Sequence, residues 1–256
     1  MKTAVILILI LCLCLAGCSS LSPETVKEPE KYQAAFNYTP TTEAASPNFA
    51  DITFSIAETV FQTKGKLMWF ASEQFANFPD TLKQDIQKIL IGKGFGIRGP
   101  YSSRDMIPFQ DKKDIDLYLV PNFELSAKVT DFKEKPENMW VAAATIIQTG
   151  NVEISGSFKI EIHEIATNEL LWVKTIPVKD FSFPLIDYVT WDEYGKTGST
   201  YKPGQIYSFT SILNGMAKGL EQQYPELMAT FDKLIDTEEM KALQNQAREL
   251  KKNRGY

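Results

Sequence analysis

Residues 151–178 run NVEISGSFKIEIHEIATNELLWVKTIPV. Val152 and Ile154, then Phe158, Ile160 and Ile162, alternate with polar neighbours, the period-two pattern of a half-buried strand. Thr167 and Asn168 supply a turn, and the apolar run resumes over 170–178, so the two runs form a hairpin. His163 stands near that turn on the polar parity and reads as a solvent-facing surface residue.

Strand signals continue upstream. Residues 52–61 alternate Phe54 and Ile56 with Thr53 and Ser55. Residues 115–120 and 123–129 form a strand region interrupted by Pro121, residues 131–137 read as a charged turn, and 140–148 are apolar and β-branched. Helical spacing enters at Phe78, Leu82, Ile86, Ile89 and Leu90, with Pro79 in the first turn and Gly92 and Gly94 as the stop. A short strand over 95–98 follows, while residues 66–75 fit a buried strand or a helix end equally. Two further helices are expected over 205–220 and 224–235. The predicted fold is α/β in the α+β sense: a mostly antiparallel sheet with helices packed on it, two of them carboxyl-terminal.

The last segment, 237–256, is expected to form a separate helical tail. Met240, Leu243, Ala247 and Leu250 give one apolar position per turn, too thin a stripe for a buried helix. Two readings stand: a frayed, solvated end, or a docking helix for a second copy or another envelope protein.

The amino terminus is of a different kind. Lys2 is followed by an apolar run over 4–15 that spans about 18 Å as a helix, too short for a bilayer core of about 30 Å. It has the proportions of a signal peptide. The run ends in Leu15-Ala16-Gly17-Cys18, which resembles the lipobox of bacterial lipoproteins. The resemblance implies a diacylglycerol thioether on Cys18, cleavage just before it, and acylation (palmitate) of the new amine. Cys12 and Cys14 leave with the signal, so the exported chain keeps no free thiol. Ser19, in the place where Asp would favour retention, points to the outer membrane. The organisation expected is a signal over 1–17, a Ser/Pro-rich lipidated tether over 18–50, a domain over 51–236 and the tail over 237–256. Tyr32, Phe36 and Tyr38 interrupt the tether, so part of it is expected to lie on the domain as an extended segment.

The 256 residues carry 27 basic and 32 acidic side chains, a net charge of -5 that argues against nucleic acid as a partner. One histidine excludes a metal site of several imidazoles. No Gly-x-Ser-x-Gly or His-Glu-x-x-His motif is present, so neither an enzyme nor a cofactor is expected. Binding has more support. The loop over 187–203 gathers Tyr188, Trp191, Tyr194 and Tyr201 beside Asp192, Glu193, Lys196 and Lys202, and flat rings with nearby polar groups suit a sugar face or a protein hot spot. Core packing of the same rings is the alternative reading.

Residues 243–254, Leu-Gln-Asn-Gln-Ala-Arg-Glu-Leu-Lys-Lys-Asn-Arg, closely resemble the carboxyl end of the neuraminyllactose-binding hemagglutinins, also called flagellar sheath adhesins. The lipobox, Phe-Asn-Tyr-Thr-Pro at 36–40, Ile-Leu-x-x-x-Gly-Phe at 89–95 and a late Gly/Ser/Thr-rich loop fit the same family. Membership implies a lipid-anchored protein of the outer membrane or flagellar sheath, with a sialylated glycan or an envelope or sheath protein as partner. The family's proposed sialic-acid motif, Lys-Arg-Thr-Ile-Gln-Lys-Lys, has no counterpart here. Residues 127–137 read Ala-Lys-Val-Thr-Asp-Phe-Lys-Glu-Lys-Pro-Glu, with Lys128, Lys133 and Lys135 offset by Asp131, Glu134 and Glu137 and no arginine for bidentate carboxylate recognition. Affinity for sialyl-lactose is therefore expected to be millimolar at best, about -4 kcal/mol. A structural or assembly lipoprotein without glycan binding is the alternative.

Overall fold

The structure is a computed structural model that describes residues 30–40, 51–63, 67–99, 101, 103–137, 145–190, 206 and 209–255. Three long antiparallel strands dominate it: β4 (Leu117–Glu137), β5 (Thr145–His163) and β6 (Leu170–Thr190). Short strands β1 (Thr53–Ile56), β2 (Val60–Thr63) and β3 (Gly96–Arg98) complete a six-stranded sheet of order β3-β1-β4-β5-β6. β1 and β2 both pair parallel with β4, one after the other along the same edge. The sheet is thus mixed but mostly antiparallel, as expected. Helices α1 (Phe78–Gly92), α2 (Phe109–Asp114), α3 (Thr210–Leu234) and α4 (Thr237–Asn253) accompany it, the last two carboxyl-terminal.

The hairpin read over 151–178 is part of β5 and β6, and its alternation sends Val152, Ile154, Phe158, Ile160 and Ile162 into the core. Several expectations upstream and downstream are corrected. Pro121 does not interrupt β4. The parallel partner changes there, from β1 ending at Leu119 to β2 starting at Asn122, so a missing N–H costs that edge no ladder bond. Residues 131–137 are not a turn but the continuation of β4 beyond a bulge. The register shifts between Thr130 and Lys133, and Asp131 takes the extra position with φ 52°. Asp187 and Tyr188 are likewise strand, not loop.

The two helices expected over 205–235 are one helix, α3, with Pro225 inside it. A single face carrying Ile212, Met216, Leu220, Tyr224, Leu227, Met228 and Phe231 is buried on the sheet. That burial outweighs the roughly 3 kcal/mol an interior proline costs. The ambiguous stretch after residue 66 resolves into two 3-10 turns, Trp69–Ala71 and Glu73–Phe75, that drive Trp69 and Phe75 into an aromatic cluster with Phe78 and Phe123. Tyr224 donates to Asp85 at 2.8 Å and joins α3 to α1, and burial pushes its phenol far up from the ordinary value.

The tail is not loose. In α4, Met240 and Ala247 are fully buried and Leu243 nearly so. Its polar residues do as much as its apolar ones. Arg248 Nε donates to Asp116 Oδ1 at 3.0 Å, and Gln244 donates to Asp116 Oδ2 at 3.0 Å and to the Asp51 carbonyl. Lys251 Nζ donates to the carbonyls of Lys112, Lys113 and Ile115, closing the end of α2. The stripe is thin because two of the five buried positions, Gln244 and Lys251, are polar and satisfied.

The segment over 30–40 lies on the domain as an extended strap, as expected. Tyr32 N–H donates to Asn214 Oδ1 at 3.0 Å and Tyr38 OH to Asp232 Oδ2 at 3.2 Å, while Ala34 and Phe36 are buried. The strap therefore runs in the direction of α3.

Candidate functional site

All the large helices and the strap cover one face of the long strands. The other face of β4, β5 and β6 is open over most of its length, and strand alternation decides what it presents. From β4 it carries Asn122, Glu124, Ser126, Lys128 and Thr130; β5 contributes Glu153, Ser155, Ser157, Lys159 and Glu161. Midway along, the register between β5 and β6 jumps from Ile154↔Phe181 to Gly156↔Val178. This bulge switches the parity of β6 and brings Asp180 and Ser182 to the open face. Gly156 is required at this bend, because a Cβ there would overlap the Glu124 carbonyl oxygen.

The bend forms a cavity of about 470 Å³ lined by Ser126, Lys128, Glu153, Ser155, Asp180 and Ser182, with Ile154 and Phe181 at its floor. Ser126 and Ser155 hydroxyls meet at 2.9 Å and Lys128 lies 3.8 Å from Glu153. The lining thus offers three serine hydroxyls, one ammonium and two carboxylates. Such a set exchanges hydrogen bonds with a polyhydroxylated ligand and disfavours an anion, since the carboxylates outnumber the lysine. These residues were missed in the sequence. The available signal was polar side chains on alternate positions, with Ser126 in 122–130, Ser155 and Ser157 in 153–161 and Ser182 in 178–183, which reads simply as a solvated strand face.

Of the aromatic loop residues, Tyr188 is on the open face of β6, exposed, six residues or about 20 Å along the strand from Ser182. Trp191, Tyr194 and Tyr201 lie outside the described residues, as does Cys18. Lys133 and Lys135 of the stretch over 127–137 are on this same face, and Glu134 points to the other, accepting from Gln148 at 2.9 Å.

A second depression of about 510 Å³ at the opposite end of the face is lined by Glu58, Tyr118, Glu161, His163 and Asn168. His163 is not the solvent-facing residue expected: its side chain is 14% exposed, Nε2 lies 3.3 Å from Glu161 Oε2 and Nδ1 lies 3.2 Å from the Asn168 carbonyl. The expectation took parity as exposure, but the turn after β5 folds over the ring. Lys159, 2.5 Å from Glu161, holds that carboxyl below the usual carboxylate range, with His163 adding to the effect. Burial pushes the Tyr118 phenol up.

No protein-family model matches the chain, and no curated protein sequence matches it. Among solved structures, it is similar to a protein from Helicobacter pylori described as a neuraminyllactose-binding hemagglutinin homolog. The identity is 13%, the TM-score is 0.56, and the match covers 85% of this chain and 99% of that one. That likeness shows a shared fold. A Neisseria meningitidis lipoprotein (10% identity, TM-score 0.24, 67% of this chain and 96% of that one) and a Xanthomonas campestris protein of the DUF330 model (9%, 0.31, 82% and 97%) superpose too loosely to bear on it.

Proposed function

We propose that this chain is a surface lipoprotein, anchored through lipid on Cys18, that binds a neutral, hydroxyl-rich glycan on the open face of its sheet. The observation that carries the reading is the cavity lined by Ser126, Lys128, Glu153, Ser155, Asp180 and Ser182. A fold shared with a hemagglutinin homolog supports the class, the lipobox over 15–18 supports the lipid anchor, and Ser19 after it supports outer-membrane placement. The role in this reading is binding. Sialylated glycans fit less well, because two carboxylates and a paired lysine meet the sugar acid.

That same balance also favours a second reading, an assembly or structural lipoprotein of the envelope with no glycan activity. A printed array of neutral and sialylated oligosaccharides, probed with the chain from Ser19 onward, separates the two. Retention of neutral glycans, lost in Asp180→Ala and Ser126→Ala, is the expected result. No retention of any glycan leaves the assembly reading, and stronger retention of the sialylated set overturns the charge argument.

A further inference from the structure

The far end of the open face differs from the rest. Two cross-strand rows meet there: Lys135, Ile147 and Tyr188, then Lys133, Thr149 and Ile186. Ile186 is 52% and Tyr188 41% exposed, both lysines are exposed beside them, and Asp131 stands at the bulge. Apolar and aromatic side chains flanked by lysines are the composition that settles at a headgroup layer, where rings sit at the boundary and lysine stems reach toward phosphate.

The course of the chain points the same way. Ser211, in the first turn of α3, donates to the Ile186 carbonyl at 3.1 Å and lies 3.2 Å from Asp187 Oδ1. One turn further, Asn214 Nδ2 donates to the Glu30 carbonyl at 2.9 Å. Glu30, the first described residue of the strap, is therefore held about one helical turn, 5.4 Å of rise, from the contact with Ile186. Only eleven residues lie between Cys18 and Glu30, a reach of at most about 40 Å. An anchor at Cys18 keeps this end of the sheet within that reach of the bilayer.

We infer that the patch of Ile147, Ile186 and Tyr188 with Lys133 and Lys135 rests on the surface of the membrane that carries the anchor. The inference relies on the anchored reading of the function, but not on the glycan. It sets the serine-lined cavity roughly 20 Å along β6 from the lipid contact, free to face outward. It also turns Tyr188 from a ligand residue into a membrane residue.

The test supplies the anchor independently of Cys18. The chain from Ser19 onward, carrying an amino-terminal hexahistidine, is bound to vesicles through a nickel-chelating lipid. The vesicles are phosphatidylcholine with about one third phosphatidylglycerol. A single cysteine bearing an environment-sensitive dye replaces Tyr188 or, as control, Val173, which is exposed on the same face about 50 Å away. Dye at 188 should brighten at least about threefold on vesicles and be quenched by headgroup nitroxide lipid, and dye at 173 should do neither. Adding Ile186→Asp to the 188 protein should abolish most of the rise. Equal responses at the two positions, or a solution-like signal at 188, overturn the inference. Failure of the anchored reading is recorded separately, as an unmodified Cys18 in the cell's membrane fraction.

Discussion

Deleting residues 237–256 removes α4, and the structure predicts that the domain will not tolerate it. Burying a Met or Leu side chain contributes about 1.5–3 kcal/mol, and Met240, Leu243 and Ala247 are all in the core. Deletion also strips Asp116, whose side chain is 9% exposed, of both Arg248 and Gln244. It further uncovers the carbonyls that Lys251 caps. Asp116 keeps the Thr53 N–H at 3.0 Å but loses both side-chain donors, and a hydrogen bond to a charged group contributes about 1.5–3 kcal/mol. The sum, on the order of 5–10 kcal/mol, rivals the whole stability of a typical domain. The truncated chain should therefore fail to fold or melt far lower in a thermal scan followed by circular dichroism. A gentler change gives a number. Met240→Ala should cost about 2–5 kcal/mol, a fall in Tm of about 4–20 °C for a chain of this size. Lys252→Ala, in the same turn as Lys251 but exposed, should leave Tm unchanged within about 2 °C. A truncated chain that melts within a few degrees of the full one would refute the packing argument and restore the loose tail.

Two further outcomes are expected. Gly215 and Gly219 face Phe183 and Phe181 of β6, whose rings a Cβ would overlap, so Gly219→Ala should destabilise by about 1–3 kcal/mol although alanine is the better helix former; Gly92→Ala in α1, with open space around it, should be neutral or stabilising in the same urea titration. Glu161 has a folded-state pKa held below its ordinary 4.5 by Lys159, so its contribution is complete above pH 4.5 and is withdrawn as pH falls through the folded value. Glu161→Gln should accordingly flatten the acid-side loss of stability and leave the neutral-pH side less stable than the parent.

Regular alternation and regular helical spacing were legible in the residues because each writes a periodic pattern, as in Phe158, Ile160 and Ile162 or in Phe78, Leu82 and Ile86. What departed from a period was not. The bulges at Asp131 and between Val178 and Phe181 shift parity by one residue, so a single long strand reads as strand, turn and loop. Pro225 looks like a boundary in sequence, and only the continuous buried face on either side of it shows otherwise. The tail was misread for a related reason. Hydrophobic counting gives buried Gln244 and Lys251, and half-exposed Arg248, no credit for packing, yet their partners Asp51, Ile115 and Asp116 lie more than a hundred residues away. The cavity was illegible because its serines are ordinary solvated residues until a bulge gathers them.

The functional account stands on the anchor. Mass spectrometry of the amino-terminal peptide, taken from protein in the membrane fraction, measures it directly. The account predicts a peptide beginning at Cys18 and carrying a diacylglycerol thioether with an acylated amine. A peptide that retains residues 1–17, or an unmodified Cys18, would contradict it.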